Sequence, residues 1–282
     1  LMKIGSLKLK NRIFLAPMAE VNDIAFRKLC LDAGAGLVFT GMINPLSKQE
    51  IDLDDKPALQ LFSTNEKGVK EFIKKYEDKV KLFDFNLGCP AKTAKKLGFG
   101  SYLGELETIE KILKTMREST KKPITVKIRK SKKALKILKI AEKYCDAISV
   151  HPRTKEQGYS GEPDLDFALR IKKRTKLPVI YSGNVNEDNL EERLKQFDFV
   201  MIGRKAMGNP NFFSKVLGKK TNFNFLDYLN LAKEYNLKFR IIKFQSMWFT
   251  KGLEGGAKVR EQIAKAKTIK EIKEIYSKEI LN

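Results

Sequence analysis

The chain has 282 residues, 42% of them hydrophobic, enough for one large core and an appendage. Its 56 Lys and Arg stand against 34 Asp and Glu, a net charge of +22 that points to a polyanion, nucleic acid before an anionic membrane surface. A thermophile's charged surface accounts for many charges of both signs but not for this one-sided excess, and no apolar run nears the ~20 residues of a membrane span.

Residues 13–19 read as a buried strand with its lip at Pro17, Met18 and Ala19. Asn22 or Asp23 caps a helix carrying Ala25, Phe26, Leu29 and Cys30. Strands follow at 37–43 and 57–63, separated by a polar, mobile loop with Asp52, Asp54 and Asp55. A helix at 65–79 leads to the fourth strand at 80–88, and a helix at 105–119 to the fifth at 123–129. Then come a helix at 132–144, a strand at 147–151, a helix at 165–175, a strand at 177–183, a helix at 187–196, a strand at 199–204 and a helix at 206–217. Short buried strands alternating with helices imply a parallel sheet. Eight such units over about 220 residues predict an α/β fold, a (β/α)8 TIM barrel. The competing doubly wound sheet would want a glycine fingerprint after its first strand, where this chain has Pro17-Met18-Ala19. From about residue 221 the apolar spacing is helical only, through Phe225, Tyr228, Leu229, Phe239, Ile242, Val259, Ile263 and Ile272 up to residue 281. The expected organisation is a barrel domain over 1–220 and a small all-helical domain over 221–282. That tail carries 12 Lys and Arg against 7 Asp and Glu, so both parts are basic.

A barrel of this kind builds its site at the C-terminal ends of the strands. The fourth strand ends in Asn86-Leu87-Gly88-Cys89-Pro90, followed by a loop through Lys92, Lys95 and Lys96. A thiol at that lip reads as a proton donor facing an anionic substrate; a small buried hydrophobe is the alternative. Cys30 and Cys145 read as packing. The three cysteines make no CxxC pair and no zinc spacing, which fits a reducing cytoplasm. The chain opens without an apolar signal-peptide core. The strand ends hold no acidic cluster and a single His, so no metal site is expected. Ser182-Gly183-Asn184 and Gly203-Arg204 end the last two strands, the usual place for a cofactor phosphate, although both glycines also suit plain turns. Thr125, Lys127 and Arg129 alternate inward, and an inward lysine needs an anion such as the pyrimidine end of a reduced flavin. Gln60 can hydrogen-bond a uracil-like edge or simply cap the barrel. His151, the sole histidine, sits at a strand lip before Pro152-Arg153-Thr154.

With these residues assembled, nearly the whole chain resembles the tRNA-dihydrouridine synthase family. The specific pair of motifs is Asn86-Leu87-Gly88-Cys89-Pro90 with His151-Pro152-Arg153-Thr154, Gln157 and Tyr159; Ala16-Pro17-Met18-Ala19, Lys127-Ile128-Arg129 and Met201-Ile202-Gly203-Arg204 support it. Lys251-Gly252 and Arg260 in the tail resemble the family's RNA-binding domain more weakly. The resemblance implies an FMN barrel that reduces the carbon 5–carbon 6 double bond of uridine in tRNA, with NADPH or NADH refilling the flavin. By position it makes Cys89 the proton donor. Pro17, Met18, Ala19, Gln60, Lys127, His151, Ser182, Gly183, Asn184, Gly203 and Arg204 become FMN ligands, and Asn86, Arg129 and Arg153 neighbours of the substrate base. The family usually has Asn-Gly-Asp in place of Ser182-Gly183-Asn184, a departure that bears on those side-chain assignments but not on the backbone phosphate role; it also usually has Gly in place of Pro152. A cytoplasmic monomer with no membrane or metal partner is expected. On the residues alone, a flavin barrel acting on free pyrimidines, dihydroorotate dehydrogenase-like, and a non-catalytic RNA-binding module remain open.

Overall fold

The computed structural model describes residues 2–280; residue 1 of the expected barrel domain and residues 281–282 of the expected helical domain lie outside them. Strands β1 (Lys3–Ile4) and β2 (Leu7–Lys8) form an antiparallel hairpin. Then come β3 (Ile13–Leu15), β4 (Leu37–Val38), β5 (Ala58–Leu61), β6 (Leu82–Leu87), β7 (Ile124–Arg129), β8 (Ala147–His151), β9 (Val179–Ser182) and β10 (Phe199–Ile202). These eight make one parallel sheet in the order β4-β3-β10-β9-β8-β7-β6-β5. Isolated bridges from Phe39 to Ala58 and from Ile43 to Leu61 join its two edges into a barrel.

The two-residue period of a strand sorts the side chains. Ile13, Leu15, Phe83, Phe85, Val126 and Ile128 pack outward into the layer shared with the helices. Phe14, Ala58, Leu82, Ala147, Ile180 and Phe199 form a second, inner cluster at the N-terminal end of the barrel, joined by Ile4 and Leu9. The hairpin, which sequence periodicity does not reveal, therefore plugs the barrel floor. Above that floor the inward positions turn polar: Gln60, Asp84, Asn86, Thr125, Ser149 and His151 are all buried. Burying polar groups is unfavourable unless they are hydrogen-bonded, and Gln60, Asp84, Asn86 and Thr125 meet that cost by bonding to one another.

Several elements differ from expectation. The second strand is two residues plus bridges, not seven residues. The helix expected at 65–79 begins at Val69, because Asn65 closes a turn on Lys67 first. The segment expected to be a mobile loop after the second strand is pinned: Arg27 makes a two-pronged pair with Asp55, at 2.8 and 2.7 Å, and donates to the Asp52 carbonyl. The lysine-rich stretch read as a loop is a helix, Lys92–Leu97. The helix expected at 206–217 is confined to Asn211–Val216, entered through Pro210.

Four helices follow, Phe225–Glu234, Phe239–Phe249, Gly256–Lys265 and Ile269–Glu279. No helix among the described residues is long and apolar enough to cross a membrane. Asp23 ties them to the barrel. Its carboxylate caps the helix Ile24–Asp32 at the Phe26 amide and accepts from Gln245 Nε2 at 2.7 Å and Tyr228 Oη at 3.3 Å. At a second contact Gly208, with φ +67°, lies so close to Trp248 that a Cβ would overlap the Trp248 carbonyl. Gly208→Ala is therefore expected to lower stability by about 3 kcal/mol, combining left-handed strain and overpacking. The melting temperature should drop by roughly 5–10 °C, and the emission of Trp248, the sole tryptophan, should shift to the red. Unchanged melting and emission would contradict this packing.

Candidate active site

One cavity of about 1010 Å³ opens at the C-terminal mouth of the barrel. All fifteen site residues expected from sequence line it, from Pro17 and Met18 through Gln60, Cys89, Lys127 and His151 to Gly203 and Arg204.

Cys89 follows β6, and its backbone is held from three sides. Its N–H donates to Asn86 Oδ1 at 2.9 Å, next to the Gly88 N–H on the same oxygen at 3.0 Å. Its carbonyl accepts from the Ser101 hydroxyl at 2.8 Å and from the Ser101 N–H at 3.1 Å. Gly100, at φ +62°, backs it so closely that a Cβ would lie 2.9 Å from the Cys89 carbonyl oxygen. Arg129 Nε donates to the Gly88 carbonyl at 2.7 Å.

Beneath this turn runs a buried chain of hydrogen bonds. Asn86 Nδ2 donates to Gln60 Oε1 at 2.7 Å, Gln60 Nε2 to Asp84 Oδ2 at 2.6 Å, and the Thr125 hydroxyl to Asp84 Oδ1 at 2.5 Å. An ionised carboxylate only accepts, so Gln60 must turn its NH2 toward Asp84 and its oxygen toward Asn86. Asn86 must then turn its oxygen toward the Cys89 turn. Sequence reading missed Asp84; its signal was the two-residue spacing to Asn86, which puts both on the inner face.

The remaining expected residues divide by what they touch. Arg129 Nη1 donates to the Thr154 and Gly158 carbonyls, and Arg153 to those of Ser160 and Gly161. Both arginines hold the loop after β8 against the cavity. Arg153 Nη1 lies 3.2 Å from His151 Nε2. A guanidinium only donates, so that nitrogen accepts and the imidazole proton sits on Nδ1. Burial, then Lys127 and three arginines, hold His151 far below the usual imidazole range, so it stays neutral. Burial lowers Lys127 to about 8, helped by Arg129 and opposed by Asp84. Burial raises the Cys89 thiol, opposed by the Ala91 N–H, Arg129 and Lys127, so the sulfur keeps its proton at neutral pH. At the last two strand ends, Arg204 Nη2 donates to Asn184 Oδ1 at 2.5 Å. The backbone N–H groups of Gly183, Asn184, Gly203 and Arg204 make no hydrogen bond to another described residue.

The dihydrouridine synthase (Dus) family profile matches residues 14–282. The chain belongs to the dihydrouridine synthase family. It is 33% identical over 236 residues to tRNA-dihydrouridine synthase B of Pasteurella multocida, covering 75% of this chain and 70% of that one. It is 36% identical over 239 residues to a probable tRNA-dihydrouridine synthase of Rickettsia bellii, covering 77% and 73%. Among solved structures, a morphinone reductase in complex with tetrahydroNAD superposes with a TM-score of 0.57 at 13% identity, covering 79% of this chain and 90% of that one. A TcOYE structure with pHBA gives a TM-score of 0.58 at 12% identity over 83% and 97%. Both share the barrel fold.

This dihydrouridine synthase thus seals a carboxylate under its mouth. Burial pushes Asp84 up to about 6, against Thr125, Gln60 and Lys127. The folded chain therefore holds this proton more tightly than the unfolded chain, where an aspartate titrates near ~3.9. Asp84 contributes its full share of stability below about pH 4, and that share is lost as the pH rises through about 6. Removing the group with Asp84→Asn should flatten the unfolding free energy between those limits by on the order of 2 kcal/mol. Chemical denaturation at a series of pH values checks this; an unaltered slope would contradict it.

Proposed function

We propose that this dihydrouridine synthase reduces the carbon 5–carbon 6 bond of a particular uridine in tRNA, with FMN as cofactor, NADPH or NADH as reductant and Cys89 as proton donor. The observation that carries the reading is the meeting, in one cavity, of a protonated thiol, an inward lysine and a strand-end lip of free N–H groups beside an arginine.

The chemistry of these donors suits FMN. Free amides at Gly183, Asn184, Gly203 and Arg204, with the Arg204 guanidinium, match a phosphate. Gln60 keeps an unused N–H for the pyrimidine edge, whereas the second N–H of Asn86 is spent on the weaker acceptor Met42 Sδ at 3.6 Å, and Lys127 offsets negative charge there. Bound FMN supplies a hydride. Pro17, Met18 and Ala19 line the wall at the first strand end, and Ser182 and His151 complete the set facing the cofactor.

Cys89 delivers the proton that the reduced base needs at carbon 5. The thiolate left behind is favoured by Arg129 and Lys127, the same cations that pull the thiol's pKa down against burial. Asn86, Arg129 and Arg153 shape the wall the base would meet. The uridine must leave its stack to enter. Residues 221–282 act as the tRNA-binding domain, with Lys92, Lys95 and Lys96 on the adjoining rim, and the net charge of +22 draws the polyanion in. On this reading the enzyme works as a cytoplasmic monomer and needs no metal.

Cys89→Ala should bind FMN as the wild type does, seen as flavin bands in the visible spectrum. Its rate of dihydrouridine formation should fall by roughly 10²–10⁴, read by mass spectrometry of nucleosides from incubated tRNA. Wild-type turnover in that variant would remove the thiol from the mechanism.

A further inference from the structure

Two residues from beyond the barrel line the cavity: Trp248, in the helix Phe239–Phe249, and Lys251 just after it. We propose that the helical segment completes the phosphate site, with Lys251 as a direct ligand of the FMN phosphate, so that cofactor binding and seating of the segment on the barrel reinforce each other. The proposal rests on the reading of the cavity as an FMN site.

Position is the first argument. Lys251 Nζ donates to the Arg204 backbone carbonyl at 3.0 Å, which fixes its ammonium at the lip after β10, beside the free N–H groups of Gly203 and Arg204. Charge is the second. Neither Arg204 nor Lys251 pairs with a carboxylate among the described residues, and Lys205 shares Glu187 with Lys215. Burial, then Arg204 and Lys205, lower the Lys251 pKa. Cations crowded together without acids are mutually destabilising, and an anion between them reverses the sign. A phosphate monoester carries −1.5 to −2 charges at about pH 7 and accepts several hydrogen bonds, so it suits this excess better than a singly charged RNA phosphodiester. Packing is the third: Trp248 lines the cavity wall beside Lys251, with its Nε1 buried and turned from solvent. The close seat of Gly208 under the Trp248 carbonyl holds that stretch in place.

The test uses FMN and riboflavin, which differ only by the phosphate, on the full chain. Flavin fluorescence titration gives both dissociation constants for wild type, Lys251→Met, Lys251→Gln and Lys251→Arg. The neutral variants should weaken FMN about tenfold, in line with loss of one charge-assisted contact, and leave riboflavin within about twofold. Lys251→Arg should keep most of the preference for FMN. Unchanged FMN affinity would overturn the proposal, whether or not tRNA binding weakens, since the lysine would then serve the RNA or nothing. Equal weakening of FMN and riboflavin would also overturn it, because the effect would be general distortion. Failure of the wild type to bind either flavin would instead defeat the reading of the cavity itself.

Discussion

The fold of the mouth depends on a carboxylate that water cannot reach. Among the described residues Asp84 is the one acid with no exposed surface. Its inability to donate, once ionised, sets the direction of the Gln60 and Asn86 hydrogen bonds above it. Two side-chain amides, Gln60 and Asn86, have no intrinsic orientation: each can flip end for end at little cost. Here neither can, because a flip would set a donor against a donor or an acceptor against a carboxylate. Polarity set on the inside of the barrel thus passes through two residues to the turn that carries Cys89. Ser101 and Gly100 close the same turn from the other side. A thiol on such a turn is held by backbone contacts, so it is positioned before any ligand arrives.

Electrostatics follow from the same geometry. Lys127, Arg129, Arg153, Arg204 and Lys251 all face one cavity. Burial, then Lys127, Arg129, Arg153 and Arg204, keeps His151 neutral, and Arg129 and Lys127 oppose the burial that would otherwise raise the Cys89 thiol further. For the thiol proposed as proton donor both effects help: burial keeps the proton on at rest, and the cations soften the cost of releasing it. The excess of positive charge inside the mouth continues outward over a basic chain, so an anionic cofactor and a polyanionic substrate meet one sign of potential.

Much of this was legible in the sequence. Apolar strands at near-regular spacing indicated the barrel, and its strand ends indicated the cavity wall, because both follow from local periodicity. The missed parts depend on contacts between distant segments or on elements too short to carry a period. The hairpin strands are two residues each. The helix Lys92–Leu97 buries only Ala94 and so has no apolar face to read. Asp84 sits between Phe83 and Phe85, in a run that looks uniformly apolar unless its faces are separated. Lys251 reaches a lip 47 residues earlier in the chain, and nothing local announces that. The second strand was overextended because 39–43 is apolar enough to read as strand, whereas its backbone makes only isolated bridges.

The central claim is that the Cys89 sulfur stands in the space the nucleobase enters. The reactivity of that sulfur tests it most directly. Cys30 and Cys145 are buried with thiols pushed up by burial, whereas Cys89 faces the cavity, so iodoacetamide should label Cys89 alone. With FMN bound, the account predicts that saturating tRNA slows this labelling by about tenfold or more, as occupancy of the pocket by a flipped base requires. Labelling of Cys89 at the same rate with and without tRNA would show that the thiol and the base do not share the cavity.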